Sequence, residues 1–183
     1  MNASVTPPKV PGRILVENVR FSFTDGIWTA SVPKGTTGEP AYNIQAILPR
    51  NHPQVPALLQ LINAAALKQW KDQAPNVLAV AQAAGKIFLR SGDTKKYEGY
   101  AGNLFISCRS KTRPKVYDGM ENGKPREVHK REDSRIYSGC YGNLLIDVFP
   151  YIRGSNGIGA GFKAIQFVKD GEPLGGSAPA QAD

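Results

Sequence analysis

Between Lys86 and Arg135 the sequence mixes positively charged and aromatic side chains along short segments. Lysine and arginine neutralise the phosphates of a nucleic-acid backbone, and aromatic rings offer flat faces on which unpaired bases stack. Neither residue type is informative alone, but together they predict a surface that binds single-stranded nucleic acid. The residues that we assign to this surface are Lys86, Arg90, Tyr97, Tyr100, Phe105, Arg109, Lys111, Arg113, Lys115, Tyr117 and Tyr151.

The net charge of the chain agrees with a polyanionic partner. The 183 residues include 23 lysines and arginines against 15 aspartates and glutamates, which gives a formal net charge of +8. A basic surface that is simply solvated would give the same value, because net charge bears on association and not on fold. The charge is therefore consistent with nucleic-acid binding without requiring it.

Residue usage also bears on the cellular compartment. Cys108 and Cys140 are too few to build a disulfide scaffold, so we expect a reducing intracellular environment. No apolar run approaches the roughly 20 residues of a membrane span, and the first residues lack the apolar centre of a signal peptide. We expect a cytoplasmic protein, in the host cell if a phage encodes it, with no membrane contact.

The sequence carries no pattern that indicates catalysis. His52 and His129 have no cysteine or histidine nearby at metal-ligand spacing. Cys108 falls on the inward face of a predicted strand, where cysteine acts as a small hydrophobe. We expect no enzyme, no metal and no cofactor, because a nuclease would need carboxylates that converge on a divalent ion. The acids that could do so are scattered over loops and strands: Asp93, Glu98, Asp118, Asp147 and Asp170.

Alternating apolar and polar residues predict short strands over much of the chain. The first covers residues 13–23, where Leu15, Val19 and Phe21 share one face. Glu17 interrupts that face, and a β-bulge beside it would restore the alternation. The other predicted strands cover residues 41–48, 87–90, 104–111, 143–149 and 160–168.

The predicted strand 104–111 carries the most specific residue-level hypothesis. Leu104, Ile106 and Cys108 fall on its inward face. Phe105 falls on the opposite face with Arg109, so we expect an exposed ring between cations that stacks on a base. The alternative is a solvent-facing strand with one isolated phenylalanine.

Helical spacing of apolar residues predicts one long helix from Pro53 to Lys71, with Trp70 as a core anchor on its apolar face. A shorter second helix is predicted over residues 77–84. Glycines at positions 154–161 lie between two predicted strands, so we interpret them as a hairpin loop and not as a phosphate-binding loop.

The predicted fold is mainly β, a small closed or partly open barrel interrupted by helices. The OB-fold is the barrel that most often binds single strands, and we expect an OB-fold-like architecture. Residues 13–174 are expected to form a single domain. Proline-rich residues 1–12 predict a flexible N-terminal arm, and residues 175–183 a disordered C-terminal tail.

Several segments resemble the phage-encoded single-stranded DNA-binding proteins of the Enterobacter-phage type, formerly a phage family of unknown function, and they occur in the same order as in that family. The segments are ILVENVRFSF (14–23), GEPAYNIQAILPRNHP (38–53), SKTRPKVYD (110–118), YSGCYGN (137–143) and GAGFKAIQFVKDGEPLGG (159–176). The resemblance implies an OB-fold that binds single-stranded DNA with little sequence preference. It places Lys111, Arg113 and Lys115 on the DNA-contacting surface, whereas the tyrosines of YSGCYGN are expected to pack.

We therefore predict a non-catalytic protein that coats and protects single-stranded DNA during phage replication, recombination or repair and self-associates along it. Phage replication or recombination proteins are expected partners. The sequence does not predict recruitment through an acidic tail, because SAPAQAD (177–183) has Asp183 as its one acidic side chain. The alternatives are an RNA-binding or strand-annealing protein, a metal-dependent phage nuclease and a structural virion protein.

Overall fold

The structure, a computed structural model, describes residues 10–33, 35 and 37–175. Most of the predicted arm and tail, residues 1–9 and 176–183, lies outside this range. The α-helices are α1 (Val55–Trp70) and α2 (Ala74–Ala83). The strands are β1 (Arg13–Ser22), β2 (Tyr42–Pro49), β3 (Leu89–Ser91), β4 (Asn103–Ser110), β5 (Lys115–Glu121), β6 (Lys124–Val128), β7 (Tyr141–Tyr151) and β8 (Gly157–Lys169).

The strands form an eight-stranded sheet in the order β3-β4-β2-β1-β7-β8-β5-β6. Neighbouring strands are antiparallel except β5 and β8, which run parallel. The sheet curls so that the residues before β3 reach the start of β8. The Phe88 amide donates to the Ile158 carbonyl at 2.9 Å, and the Ile158 amide donates to the Lys86 carbonyl at 3.0 Å. The result is a curled, open sheet that is OB-fold-like, which confirms the predicted fold class.

The helices pack against the barrel through one apolar face. Leu58, Ile62 and Ala66 recur at the spacing of a helix face and are all buried, with α1 packed against β7. Trp70 is half-buried against the main core, so its predicted role as an anchor is confirmed. The second helix begins earlier than predicted, because Pro75 lies in its first turn, where a missing N–H does no harm.

A bulge in β1 changes which side chains enter the core. The pairing of β1 with β7 shifts between Val16 and Val19, and Asn18 takes a left-handed conformation with φ of 55°. The predicted irregularity near Glu17 is therefore confirmed. As a consequence Val16 is buried, and Leu15, which was expected to face the core, is 44% exposed.

The outer face of β2 and β4 carries a second, smaller apolar cluster. Its residues, called here the outer-face cluster, are Ile47, Tyr100, Phe105 and Leu174, with Phe23 and Tyr97 packed against them. Ile106 and Cys108 face the main core as predicted, but Phe105 is fully buried on the other face. The prediction of an exposed Phe105 is wrong. The strand parity is right, and the ring packs against Tyr100, with 5.3 Å between ring centroids, in a cluster that also contains Leu174.

Two chemical properties of the described residues bear on the expectations from sequence. Cys108 and Cys140 are both buried and free, and burial raises the pKa of the Cys140 thiol to about 11 and that of Cys108 further. Both are therefore neutral thiols at physiological pH. Among residues 10–33, 35 and 37–175, no helix is long and apolar enough to cross a membrane.

Candidate nucleic-acid interface

The hairpin of β7 and β8 holds two aromatic rings against a floor of glycine. Phe149 pairs with Gly159, and Tyr151 pairs with Gly157. A Cβ atom on Gly159 would lie 3.0 Å from Cζ of Phe149, and one on Gly157 would lie 2.3 Å from Cζ of Tyr151. A Cβ atom would overlap the Tyr151 ring at position 157 and would crowd the Phe149 ring at position 159, so glycine at both positions lets the rings lie close to the strand. Phe149 keeps 44% of its surface exposed.

These rings form one wall of a groove of about 280 Å³, called here the hairpin groove. Four of the residues predicted from sequence line it: Lys86, Arg90, Arg109 and Tyr151. Lys86 and Arg109 are exposed. The groove thus brings together cations from the turn after α2, from β3 and from β4 beside an exposed ring. This combination can hold phosphates while an unpaired base stacks on the ring.

Two of the groove residues are fixed by contacts with the barrel. The Tyr151 hydroxyl donates to the Lys86 carbonyl at 3.0 Å. Burial raises the pKa of Tyr151, so the phenol stays neutral at physiological pH. The Arg90 guanidinium carbon lies 4.9 Å from the centroid of the Phe105 ring, and Nη1 donates to the Gly85 carbonyl at 3.3 Å. The buried Phe105 therefore supports a cation of the groove.

A row of polar residues leads from the hairpin groove across the outer face of the barrel. Gln45 on β2 pairs with Ser22 on β1 and with Ser107 on β4. Asn43 pairs with Arg109 in the next outward row. This row lies on β1, β2 and β4. OB folds bind oligonucleotides on the face formed by successive strands of the barrel in this way.

A second aromatic cavity, of about 260 Å³, lies at the far end of this row beside the loop that follows β1. Phe23, Trp28 and Tyr97 line it, and we call it the loop cavity. Phe23 and Tyr97 meet edge to face, with 5.0 Å between centroids. The guanidinium carbon of Arg113 lies 5.6 Å from the centroid of Trp28. Predicted residues Tyr97 and Arg113 are therefore near this end.

Lys111 belongs to the same loop region. Its ammonium pairs with the carboxylate of Glu39 at 2.8 Å, and both side chains are 74% exposed. The pair holds Lys111 beside the chain segment between β1 and β2. Because exposed pairs contribute little stability, Lys111 can exchange Glu39 for another anion at low cost.

Other predicted residues do not join either end. Lys115 and Tyr117 lie on β5, which pairs with β8 at Ala164 and Gln166. Ala164, the partner of Lys115, lies five residues beyond Gly159 of the hairpin groove, which is about 17 Å along the strand. Lys115 and Tyr117 are therefore remote from that groove. Tyr100 is fully buried, like Phe105, and its hydroxyl donates to Gln45. Neither buried ring presents a face to a base, which corrects the prediction for both.

The sequence reasoning missed Phe149 and Trp28. A signal for Phe149 was present, since glycines at 157, 159 and 161 alternate on one face of β8. The hairpin was predicted, but those glycines were assigned to its loop, whereas the loop covers only residues 152–156. Alternating glycines opposite an aromatic-x-aromatic segment indicate rings that lie across a strand. Trp28 had no comparable signal, because it lies in an irregular segment.

The barrel topology defines the chain as an OB-fold protein, and comparison with known proteins gives its family. The chain belongs to the family described as Enterobacter phage Enc34, ssDNA-binding protein, whose model matches residues 12–183. A putative protein p50 of Acyrthosiphon pisum secondary endosymbiont phage 1 is 30% identical over 179 residues, which cover 93% of this chain and 91% of that protein.

The fold of this chain is similar to solved structures of single-stranded DNA-binding proteins. The single-stranded DNA-binding protein from bacteriophage Enc34 is 26% identical, with a TM-score of 0.72 over 92% of this chain and 87% of that chain. The same phage protein in complex with ssDNA is 25% identical, with a TM-score of 0.73 over 90% of both chains. Gp2.5, a single-stranded DNA-binding protein encoded by bacteriophage T7, is 11% identical with a TM-score of 0.50 over 87% of this chain and 93% of that chain, and shares the fold.

Proposed function

We propose that this chain is a non-catalytic protein that binds single-stranded DNA without sequence preference. In the host cytoplasm it coats and protects strands exposed during phage DNA replication, recombination or repair, alongside the phage proteins of those processes. Membership of a ssDNA-binding family supports this proposal. The observation that carries it is the exposed ring of Phe149, seated on glycine between the cations of the hairpin groove.

The proposed mechanism divides the work between cations and rings. Lys86 and Arg109 are exposed at the groove and pair with phosphates. Phe149 stacks on a base and contributes on the order of 1–3 kcal/mol. Every base has a π-face, so the stacking contact accepts any sequence.

The strand would cross the outer face of the barrel between the two aromatic ends. From the hairpin groove it passes over Ser107 and Gln45 towards the loop cavity, where Trp28 and Tyr97 offer further rings. Arg113 and Lys111 flank that end. A duplex hides its base faces within the stack, so it can use the cations but not the rings.

Fluorescence anisotropy with labelled oligonucleotides of matched length tests the proposal. We expect tight binding to single-stranded DNA of any sequence, much weaker binding to duplex, and intact oligonucleotide after incubation with Mg²⁺. Equal affinity for single strands and duplex would contradict the proposal and favour a structural virion protein. Stronger binding to RNA would support an RNA-binding protein, and Mg²⁺-dependent cleavage would support a nuclease.

A further inference from the structure

A row of two cations and a ring crosses the outer face of the barrel and lines neither aromatic end. Arg20 on β1 pairs with Tyr141 on β7, which pairs in turn with Lys169 on β8. The Arg20 guanidinium carbon lies 6.0 Å from the centroid of the Tyr141 ring, and Nζ of Lys169 lies 5.0 Å from it. The ring thus lies between two positive charges, one on each neighbouring strand.

This row is built into the barrel by specific contacts. Arg20 donates from Nη2 to the carbonyl of Glu172 at 2.5 Å and from Nε to that of Gly139 at 3.3 Å. A Cβ atom on Gly171 would lie 2.8 Å from Cε2 of Tyr141, so the ring also rests on glycine. The arginine and the ring are therefore oriented before any ligand arrives, which lowers the entropic cost of binding.

Arg20 and Tyr141 line a groove of about 780 Å³, called here the Tyr141 groove. Side-chain amides that can donate to and accept from base edges also line it, namely Asn18 and Asn51. The amide of Gln54 accepts from the Glu17 amide and donates to the Leu15 carbonyl, and that of Asn103 donates to the Gly99 carbonyl. Glu17 lies on the same wall, and its charge opposes phosphate there. The phosphate contacts are therefore expected on the side of Arg20 and of Lys169, which is exposed.

The Tyr141 groove and the hairpin groove lie at opposite ends of the β2–β4 pair. The Tyr141 groove is lined by Asn103 at the start of β4, whereas the hairpin groove is lined by Ser107 and Arg109 near its end. Six residues separate Asn103 from Arg109, or about 20 Å of strand. Both grooves open on the outer face of the barrel, with the outer-face cluster between them.

We propose that the Tyr141 groove is a second contact site for single-stranded DNA, which binds the part of a strand that continues past the loop cavity, whose lining residue Glu98 directly precedes Gly99 of this groove. Arg20 and Lys169 hold phosphates, Tyr141 contacts a base, and the amides meet base edges. This inference rests on the proposed function, since it extends the same strand. It gives Tyr141, the second tyrosine of the YSGCYGN segment, a binding role in place of the packing role expected from sequence.

Oligothymidines of two lengths test this second site, because OB folds occupy about 4–16 nucleotides. Stacked nucleotides advance about 3.4 Å each, so a strand of about 4 nucleotides spans about 14 Å and stays in the hairpin groove, whereas one of about 16 reaches both grooves. Tyr141→Leu should weaken binding of the longer strand about fivefold or more and leave the shorter unchanged. Lys169→Ala should make the salt dependence of the longer strand less steep by about 0.7, the value for one phosphate contact.

The control is Lys68→Ala, which removes an exposed lysine from α1 on the helical layer. This variant should bind strands of both lengths with unchanged affinity. Equal losses at both lengths for Tyr141→Leu would show that Tyr141 acts through the fold, and no loss at either would show that it does not touch DNA. Both results overturn the inference while the proposed function stands. Failure of the unaltered protein to bind either length would overturn the proposed function, and this inference with it.

Discussion

The ring of Phe149 lies against the backbone of Gly159, its partner on the neighbouring strand. A Cβ atom at position 159 would come within 3.0 Å of Cζ and 3.1 Å of Cε2 of the ring. Such contacts are tighter than the optimal separation of about 3.5–4.0 Å, so the ring would have to move by a few tenths of an ångström to admit a Cβ atom. The glycine therefore sets the height of the ring above the strand, and the ring keeps one face towards the hairpin groove.

Phe149→Ala should weaken binding of single-stranded DNA about fivefold or more, because a stacked base contributes on the order of 1–3 kcal/mol. The melting temperature should change little, since the ring is already 44% exposed. Anisotropy and thermal unfolding of the same preparations measure both effects. Leu59→Ala, which truncates an apolar side chain that is 48% exposed on α1, is the matched control. Unchanged affinity in Phe149→Ala would remove the ring from the binding surface.

Gly159→Ala should also weaken binding, by less than loss of the ring, because the new methyl group pushes Phe149 off its position. Gly161→Ala is the control on the same strand face, where a Cβ atom meets nothing closer than 3.5 Å. A double-mutant cycle gives the sharper test. In a Phe149→Ala background Gly159→Ala should have no further effect on affinity, and an additive loss would show that Gly159 acts independently of the ring.

The strand positions could be predicted from sequence, because alternation and turn residues are local signals. The bulge near Glu17 was predictable for the same reason: a polar residue broke an otherwise apolar face. What covers the outer face was not predictable. Phe105 is buried in a cluster with Tyr100 and with Leu174, which lies 69 residues further along the chain, and no local pattern reports such a cluster. Parity assigns a side chain to a face, and only the tertiary structure shows whether that face is covered.

Phe105→Ala should destabilise the protein by about 3–5 kcal/mol, the usual range for a buried phenylalanine. The ring is fully buried within the outer-face cluster and supports Arg90. Urea denaturation monitored by circular dichroism measures the loss. Phe149→Ala serves as the exposed counterpart, for which the free energy of unfolding should stay nearly constant. A Phe105→Ala variant as stable as the unaltered protein would contradict the burial described here.

Acid should destabilise the fold in part through Asp118. Burial raises the pKa of this carboxyl, but hydrogen bonds from the Arg135 amide at 2.6 Å and from its guanidinium outweigh burial and hold the pKa below its ordinary value. The unfolded carboxyl takes up a proton near pH 3.9 and the folded one at lower pH. The stabilisation is therefore present above about pH 4 and is lost as the pH falls through the folded pKa.

Asp118→Asn should accordingly reduce the free energy of unfolding at pH 7, and its stability should fall less between pH 5 and pH 3 than that of the unaltered protein. Urea denaturation at a series of pH values measures both. Asp72→Asn, in the exposed turn between α1 and α2, is the control and should keep the full acid dependence. Identical pH profiles for Asp118→Asn and the unaltered protein would show that the Arg135 contacts do not stabilise the charged carboxyl.

The candidate site was predictable in part, and the limits have a structural cause. Lys86, Arg90, Arg109 and Tyr151 come from four different segments and meet in one groove because β8 returns to the start of β3. The residue types of these four side chains indicated a nucleic-acid partner. Their meeting in one groove depends on the curl of the sheet, which the sequence does not show. Lys115 and Tyr117 have the same residue types but lie on β5, beyond the far half of β8. Residue type alone did not separate the two groups.

Photo-crosslinking tests the location of the DNA site most directly. A short single strand of about 6 nucleotides that carries a photoreactive thymine analogue is irradiated in complex with the protein, and the attached residues are identified by mass spectrometry. The account predicts attachment at Phe149 or Tyr151 in the hairpin groove. Attachment confined to Lys115, Tyr117 and the β5–β6 hairpin, with none in the hairpin groove, would contradict it.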